Sequence, residues 1–411
     1  MINKSNWINT RIGDFSKVKG GKRLPKGCLV TEQKTNFPYI RVKDFGNGKL
    51  NENNICYITE EAYKKIKRYT ISSNDIYISI AGTIGLVGIV SDRFSGANLT
   101  ENAAKIVIDK NKIDKHFLKL FLQSPIGQSQ IKAQTGGAAQ PKLALFRIEN
   151  IELLLPDINT QKNISKKLTS IDNLTDNNTR RIQILEEIAR LLYEEWFVYF
   201  KFPGHENVKM VDSELGKIPE GWSVTTCGEM IDFDPKTIVD KNTENTYLPM
   251  GSLSESSMII SNVEIRKGNS GSKFQNNDTL FARISPCLEN GKTGFVNLLN
   301  DNETAFGSTE FIVMRTKTVC PAYVYCLARS SRFRDTAIKS MRGATGRQRV
   351  QRDVLEKFKL VFPSDERLIN KFNSIAEPVF DQIFTLNKKN EVLMQTRNHL
   401  LPRLISGEIE V

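Results

Sequence analysis

Gly291-Lys292-Thr293 has the ending of a phosphate-binding loop, where backbone N–H groups wrap a polyphosphate and the lysine neutralises it. Such a loop opens on a turn-forming glycine five positions before its last one, and here Pro286 stands there. Nucleotide binding at this segment is not expected. Phe45-Gly46-Asn47-Gly48 has the look of a loop that cradles a methyl donor. The chain holds no Asn/Asp-Pro-Pro-aromatic segment to grip a target base, so the run reads as a hairpin turn. Asp14 with Glu32-x-Lys34 could be drawn into a metal-dependent nuclease site, but a carboxylate followed by x-Lys arises by chance in any charged chain. The three histidines, at 116, 205 and 399, are far apart and leave little for acid–base work near neutral pH. Six cysteines, at 28, 56, 227, 287, 320 and 326, include no C-x-x-C pair, so no zinc site is expected and the thiols read as free in a reducing cytoplasm. These residues describe a chain with no catalytic set, metal or cofactor of its own.

What they do supply is positive charge. Lys and Arg total 58 against 46 Asp and Glu, a net +12 over 411 residues, which points to an acidic partner and first to nucleic acid. Lys17, Lys19, Lys22 and Arg23 cluster in a glycine-bearing stretch, followed by Arg41 and Lys43. Further on, QTGGAAQPKL is small and pliant and carries Gln140 and Lys142. MRGATGRQRVQR carries Arg342, Arg347, Gln348, Arg349, Gln351 and Arg352. Arg and Gln pair bidentately with guanine and adenine edges, while Lys more often serves phosphates. Lys19, Lys22, Arg23, Arg41, Lys43, Gln140, Lys142, Arg283, Arg342, Arg347, Gln348, Arg349 and Arg352 are therefore the expected DNA-binding residues.

The elements that must position them come in duplicate. Trp7-x5-Gly13-Asp14 returns as Trp222-x5-Gly228-Glu229, Asn74-Asp75 returns as Asn277-Asp278, and IENIELLLP ending at Pro156 returns as LEKFKLVFP ending at Pro363. The offset drifts between these segments, the mark of a duplicated module with diverged loops. QTGGAAQPKL and MRGATGRQRV occupy corresponding places before the last repeat segment and differ in sequence.

Beyond each proline the period becomes helical. Apolar positions step by 4 and 3 through Ile164, Leu168, Ile171, Thr175, Asn178, Ile182, Leu185, Ala189, Leu192 and Trp196. The copy runs Phe372, Ala376, Val379, Ile383, Leu386, Asn390, Leu393, Arg397, Leu400 and Leu404. Alternating steps of 4 and 3 are a heptad seam, so two helices of roughly 50 Å are expected to supercoil together. Each seam holds one Asn, and a buried amide without a partner is costly, so Asn178 and Asn390 should face each other. Antiparallel pairing then matches Ile182 with Leu386, Ile164 with Leu404 and Trp196 with Phe372. Pro378 is expected to kink the second helix or delay its start.

Within the modules, IRVKDFGNG, NDIYISIAGTIGLVGIV, KTGFVNLL and TEFIVMRT read as strands and hairpins, and DKHFLKLFLQS and PAYVYCLARSS as single amphipathic helices. The expected fold is α+β, with two similar mixed α/β modules separated by two long helices in an antiparallel coiled coil, a pseudo-twofold internal repeat. Its parts are module one at 1–156, a central helix at 157–200, a linker at 201–217, module two at 218–363 and a terminal helix at 364–411. A hydrophobic content of 39% with 22 Phe is too rich for disorder. The longest weakly polar run, Ile76 to Val90, is shorter than the ~20 residues a spanning helix needs. No apolar signal core opens the chain, and a cytoplasmic location is expected.

The chain resembles the specificity (S) subunits of type I restriction-modification systems along essentially its whole length. LLYEEWFVYFKFPG at 191–204, SELGKIPEGWSVTTCGEM at 213–230 and LLPRLISGEIEV at 400–411 carry the resemblance, as does the order module, helix, module, helix. It implies that each module is a target recognition domain reading one half of a split site on double-stranded DNA, and that the paired helices space the halves. It further implies docking of two methyltransferase (M) subunits, which recruit restriction (R) subunits, with S-adenosylmethionine, ATP and Mg on those partners. Half-sites on one DNA face should lie about one turn, ~10 bp, apart. Unlike loops imply an asymmetric site. Two other readings stay open: a DNA-binding scaffold unrelated to restriction, and a stand-alone nuclease or methyltransferase.

Overall fold

The computed structural model describes residues 7–46, 48–135, 141–344 and 346–410. Asn47 of the glycine turn and Gln140 lie outside the described residues. By packing, the chain divides into two units, Met1–Thr175 with Val392–Val411, and Asp176–Glu391.

In the first unit one sheet runs in the order Ser16–Gly20, Ala103–Ile108, Ile76–Ser79, Val87–Ile89, all antiparallel. A second runs Cys56–Tyr57, Pro38–Ile40, Ala97–Leu99, Thr70–Ile71, and its middle pair is parallel. Ile8–Arg11 pairs antiparallel with Glu152–Leu155, joining the two ends of the module. All four residues of Ile76–Ser79 are buried, with Ser79 satisfied by donating to the Thr83 carbonyl at 2.6 Å, so this strand shows no alternation of buried and exposed positions. Asp114 caps the helix Lys115–Gln123 by accepting from the Phe117 N–H at 2.9 Å. Ser124 then caps Pro125–Gln134, which begins on proline, where a missing N–H costs nothing.

The second unit repeats this strand for strand. One sheet runs Ile231–Phe233, Phe311–Thr316, Thr279–Ala282, Thr293–Phe295; the other runs Glu264–Lys267, Glu244–Leu248, Thr304–Gly307, Ser272–Gln275, again with a parallel middle pair. Trp222–Thr226 pairs with Lys359–Pro363 as Ile8–Arg11 does with Glu152–Leu155. The repeated motifs have structural causes. A Cβ on Gly13 would lie 3.3 Å from the Glu149 carbonyl oxygen, and one on Gly228 3.2 Å from that of Glu356. Asp75 and Asp278 each accept a backbone N–H three residues upstream, from Ser72 at 2.9 Å and Gln275 at 2.8 Å, closing the turn into the buried strand. Each also faces a cation, Lys105 at 3.4 Å and Arg315 at 2.6 Å.

The central helix spans Ile158–Tyr193 and continues through a π turn at Glu194–Val198; the terminal helix spans Glu366–Ile405. All twenty seam positions are buried or half-buried. In the second unit Asn178 Nδ2 donates to Asn390 Oδ1 at 2.9 Å, and the Trp196 and Phe372 rings meet edge-on at 6.1 Å. That is the antiparallel register expected from the two Asn. In the first unit Ile164 and Leu168 share a core with Leu401, Leu404 and Ile405, and Arg397 Nε donates to Asp172 Oδ1 at 2.5 Å.

Three features depart from the sequence reading. Pro378 does not delay the terminal helix, which is already formed at Glu366. Pro378 is exposed while Phe372, Ala376 and Phe380 are buried, so packing holds the helix and the displaced hydrogen bond falls on the solvent face. Each single amphipathic helix is followed by a second, Pro125–Gln134 and Ser331–Lys339. In the segment read as a linker, Phe202 is buried and stacks on Trp222 at 5.2 Å, and Met210–Ser213 pairs with Gly216–Pro219.

Candidate nucleic-acid interface

In module two a single hairpin-like loop gathers most of the expected cations. Arg342 and Arg349 exchange backbone hydrogen bonds at 3.0 and 2.8 Å, and Gly343 and Gly346 adopt the positive φ of 125° and 80° that the turn between them needs. The loop is tied to the strand end by Ser285 N–H to Gln348 O at 3.0 Å and Val350 N–H to Arg283 O at 2.9 Å. Arg283, Gln348 and Arg349 are thereby held together, with Arg342 alongside and Arg347 exposed on the turn.

The arginines differ in freedom. Arg349 donates to Glu310 through Nε at 3.1 and 2.9 Å and through a terminal nitrogen at 2.6 Å. Those bonds hold the Glu310 carboxyl below its ordinary range and raise the guanidinium. Arg352 donates to Glu356 at 2.7 Å and lies 3.7 Å from Asp234. Arg342 and Arg347 have no side-chain partner among the described residues and are exposed, the state expected of groups that await an acceptor.

Module one builds the same frame with other side chains. Leu143 N–H donates to Ile80 O at 2.9 Å as Val350 does to Arg283, and Lys142 bridges Ala81 as Arg349 bridges Ile284. Ile80 N–H donates to Asn102 O at 2.8 Å, and Arg283 N–H to Glu310 O at 2.9 Å. Ile80, Asn102 and Lys142 thus stand where module two has Arg283, Glu310 and Arg349. Lys19 is exposed on the strand Ser16–Gly20, opposite Lys105. Lys22 follows that strand; its carbonyl accepts from Tyr39 Oη at 3.0 Å, and its ammonium lies 5.6 Å over Tyr69. Arg23 donates to Glu101 at 2.7 Å and stays 80% exposed. Lys43 is exposed on the turn Val42–Asp44. Arg41 donates twice to the buried Asp44, at 3.0 and 2.9 Å, and to the Asn54 carbonyl at 2.9 Å, which ties it to its own turn. The Arg-x-x-Asp spacing was the sign that it holds its own turn.

Residues 4–187 match the family model described as the type I restriction modification DNA specificity domain. The chain is 24% identical to the type I restriction enzyme MjaIX specificity subunit of Methanocaldococcus jannaschii, over 99% of this chain and 94% of that protein. It is 22% identical to the HindI specificity subunit of Haemophilus influenzae, over 98% of this chain and all of that one. Residues 4–187 thus match a type I DNA specificity domain, and along nearly its whole length the chain is similar to type I specificity subunits. The fold agrees: a crystal structure of a type I S subunit from M. genitalium matches with a TM-score of 0.58 at 14% identity, covering 97% of this chain and 96% of that one.

The residues that the sequence did not single out are the acidic partners. Glu310 and Glu101 sit at or before the start of the last strand of their sheets and aim Arg349 and Arg23. An isolated carboxylate at a strand edge gives no local signal; only the sheet brings it to its arginine. Among the described residues no group of three or more His, Cys, Asp and Glu could hold a metal, and no helix is long and apolar enough to cross a membrane.

Proposed function

We propose that the chain is the DNA-specificity subunit of a type I restriction-modification complex. Each module reads one half of a bipartite, asymmetric site on double-stranded DNA. The paired helices set the spacing between the halves and dock two methyltransferase subunits, which recruit restriction subunits. Methyl transfer from S-adenosylmethionine and ATP-driven cleavage with Mg belong to those partners in the cytoplasm, and this chain is non-catalytic.

The observation that carries this reading is the pair of equivalent loops with unlike side chains. A frame held by the same two backbone bonds and the same β-bridge presents Ile80, Asn102 and Lys142 in one module and Arg283, Glu310 and Arg349 in the other. Two readers with one scaffold and different donors suit two different half-sites. Arg342, Arg347 and Gln348 are the base-edge readers of module two, with Lys142 and the lysines 19, 22 and 43 serving module one; Gln140 is placed with them from sequence. Two weak readers on one chain gain effective concentration over either alone.

The test is the adenine methylation map of cells with and without the gene. A split motif with unlike halves that vanishes on deletion is the expected result. An unchanged map in a host with intact methyltransferase partners would refute the role.

A further inference from the structure

Module two contains a cavity of about 550 Å³ that reaches Arg283. Its cations are Lys236, Lys273 and Arg283; of its hydroxyls, Ser272 Oγ donates to the Phe311 carbonyl at 2.8 Å and Thr237 Oγ1 to that of Pro235 at 3.3 Å, while Thr309 also lines the recess. The Nε of Arg283 is buried and has no hydrogen-bond partner among the described residues, although the residue's backbone is bonded on both sides, to Glu310 and Val350. Buried donors in folded proteins are almost always met by an acceptor, so an unmet guanidinium nitrogen beside a cavity marks where one is taken.

Module one has no such group at this place. Its equivalent residue, Ile80, is 4% exposed and belongs to the apolar core. The strand-end position is thus apolar and closed in one module and cationic in the other. Asp234 also lines the cavity: its Oδ1 accepts the Val313 N–H at 2.9 Å, its other oxygen lies 3.7 Å from Arg352, and its charge is felt by both Arg352 and Arg283. Three cations against one engaged carboxylate leave the cavity net positive.

The geometry points to this cavity as a phosphate-binding pocket of module two that takes a backbone phosphate of the DNA strand. The inference rests on the DNA-reading role proposed above. The lining decides between phosphate and base. A nucleobase pocket needs an aromatic face for stacking, and the one aromatic among its lining residues, Phe311, is 1% exposed. Two lysines and an arginine around a recess are the chemistry of a phosphate oxygen. Arg283 would meet it side-on through Nε and a terminal nitrogen, with the lysines neutralising the charge.

The test uses the complex of this chain with its methyltransferase partners. Duplexes with and without the methylated motif are titrated across salt for the wild type, Arg283→Ile and Lys273→Gln. A lost phosphate contact lowers the slope of log K against log salt by about one and weakens all sequences alike. That result is expected for both variants, with roughly tenfold weaker binding. Arg283→Ile carries the module-one residue; Lys273→Gln, at a half-buried strand position, keeps the test alive should the first variant fold poorly. An unchanged slope in Lys273→Gln and in folded Arg283→Ile overturns the pocket. So does a loss confined to one base-pair position, which would make Arg283 a base reader. A free nucleotide is the other source of phosphate: ATP binding to the wild-type chain that Arg283→Ile abolishes, with the DNA slope unchanged, also overturns it. A wild-type complex that shows no motif preference fails the specificity reading, while its slope still decides the pocket.

Discussion

The side-chain amides of Asn178 and Asn390 pair across the two long helices at 2.9 Å, and Asn390 also reaches Thr179 Oγ1 at 3.3 Å. They are the one amide pair on a seam that is otherwise apolar in this unit, with Ile182, Leu386, Trp196 and Phe372 buried along it. A lone buried amide fixes register because every slipped pairing leaves it unmatched.

Asn178→Leu strands the Asn390 carbonyl and should cost about 1–2 kcal/mol. For a unit of this size that is about 2–8 °C in thermal midpoint. Asn178→Leu with Asn390→Leu removes both polar groups and should recover the loss. Melting curves of the two variants check this; a double variant as unstable as the single one contradicts the pairing.

Arg342 and Arg347 stand exposed on the module-two loop, without a described side-chain partner. Replacing both with alanine should abolish or relax recognition of one half of the methylated motif and leave the other half intact. Methylome sequencing of a strain carrying the double variant reads this directly. Loss of both halves would show that the loop supports folding of the chain and does not read a half-site.

Glu186 on the central helix accepts from Ser257 Oγ at 2.7 Å and from the Met258 N–H at 2.9 Å. Burial pushes its carboxyl above the ordinary range, opposed by those bonds and by the charge of Arg329. The folded chain therefore holds this proton more tightly than the unfolded one. Its contribution is fully present below about pH 4.5 and is lost as pH rises through the raised value. Glu186→Gln should flatten the fall in thermal midpoint over that window and be the more stable form at neutral pH. Midpoints measured from acid to neutral pH test it, and parallel curves for the two proteins would count against it.

Gly21 sits where a Cβ would lie 2.0 Å from the Thr100 carbonyl oxygen and 2.4 Å from that of Leu99. No side chain can yield there, because both neighbours are backbone. Gly21→Ala should destabilise the first unit by about 3 kcal/mol. Gly251→Ala, whose Cβ would meet nothing within 4 Å, is the control and should change little. Urea midpoints of the two variants compare them.

The sequence by itself determined the duplication, the two helices and their register. These are one-dimensional properties: a period of 4 and 3, a repeat offset, and two amides that must meet. Helical spacing is set by the residues themselves, so seam positions such as Leu168 and Leu404 were legible without coordinates. The basic loops were legible for the same reason, as clusters of residue type. Which cations are left unpaired depends on long-range contacts. Arg349 is held by Glu310, 39 residues away, and Arg23 by Glu101, 78 residues away. Such partners meet only after the strands have assembled. Arg41 is bonded to Asp44 in its own turn, whereas Arg283 lies beside a cavity where its counterpart Ile80 is core. Pro378 was decided the same way, because long-range packing of Phe372, Ala376 and Phe380 outweighs one lost backbone bond.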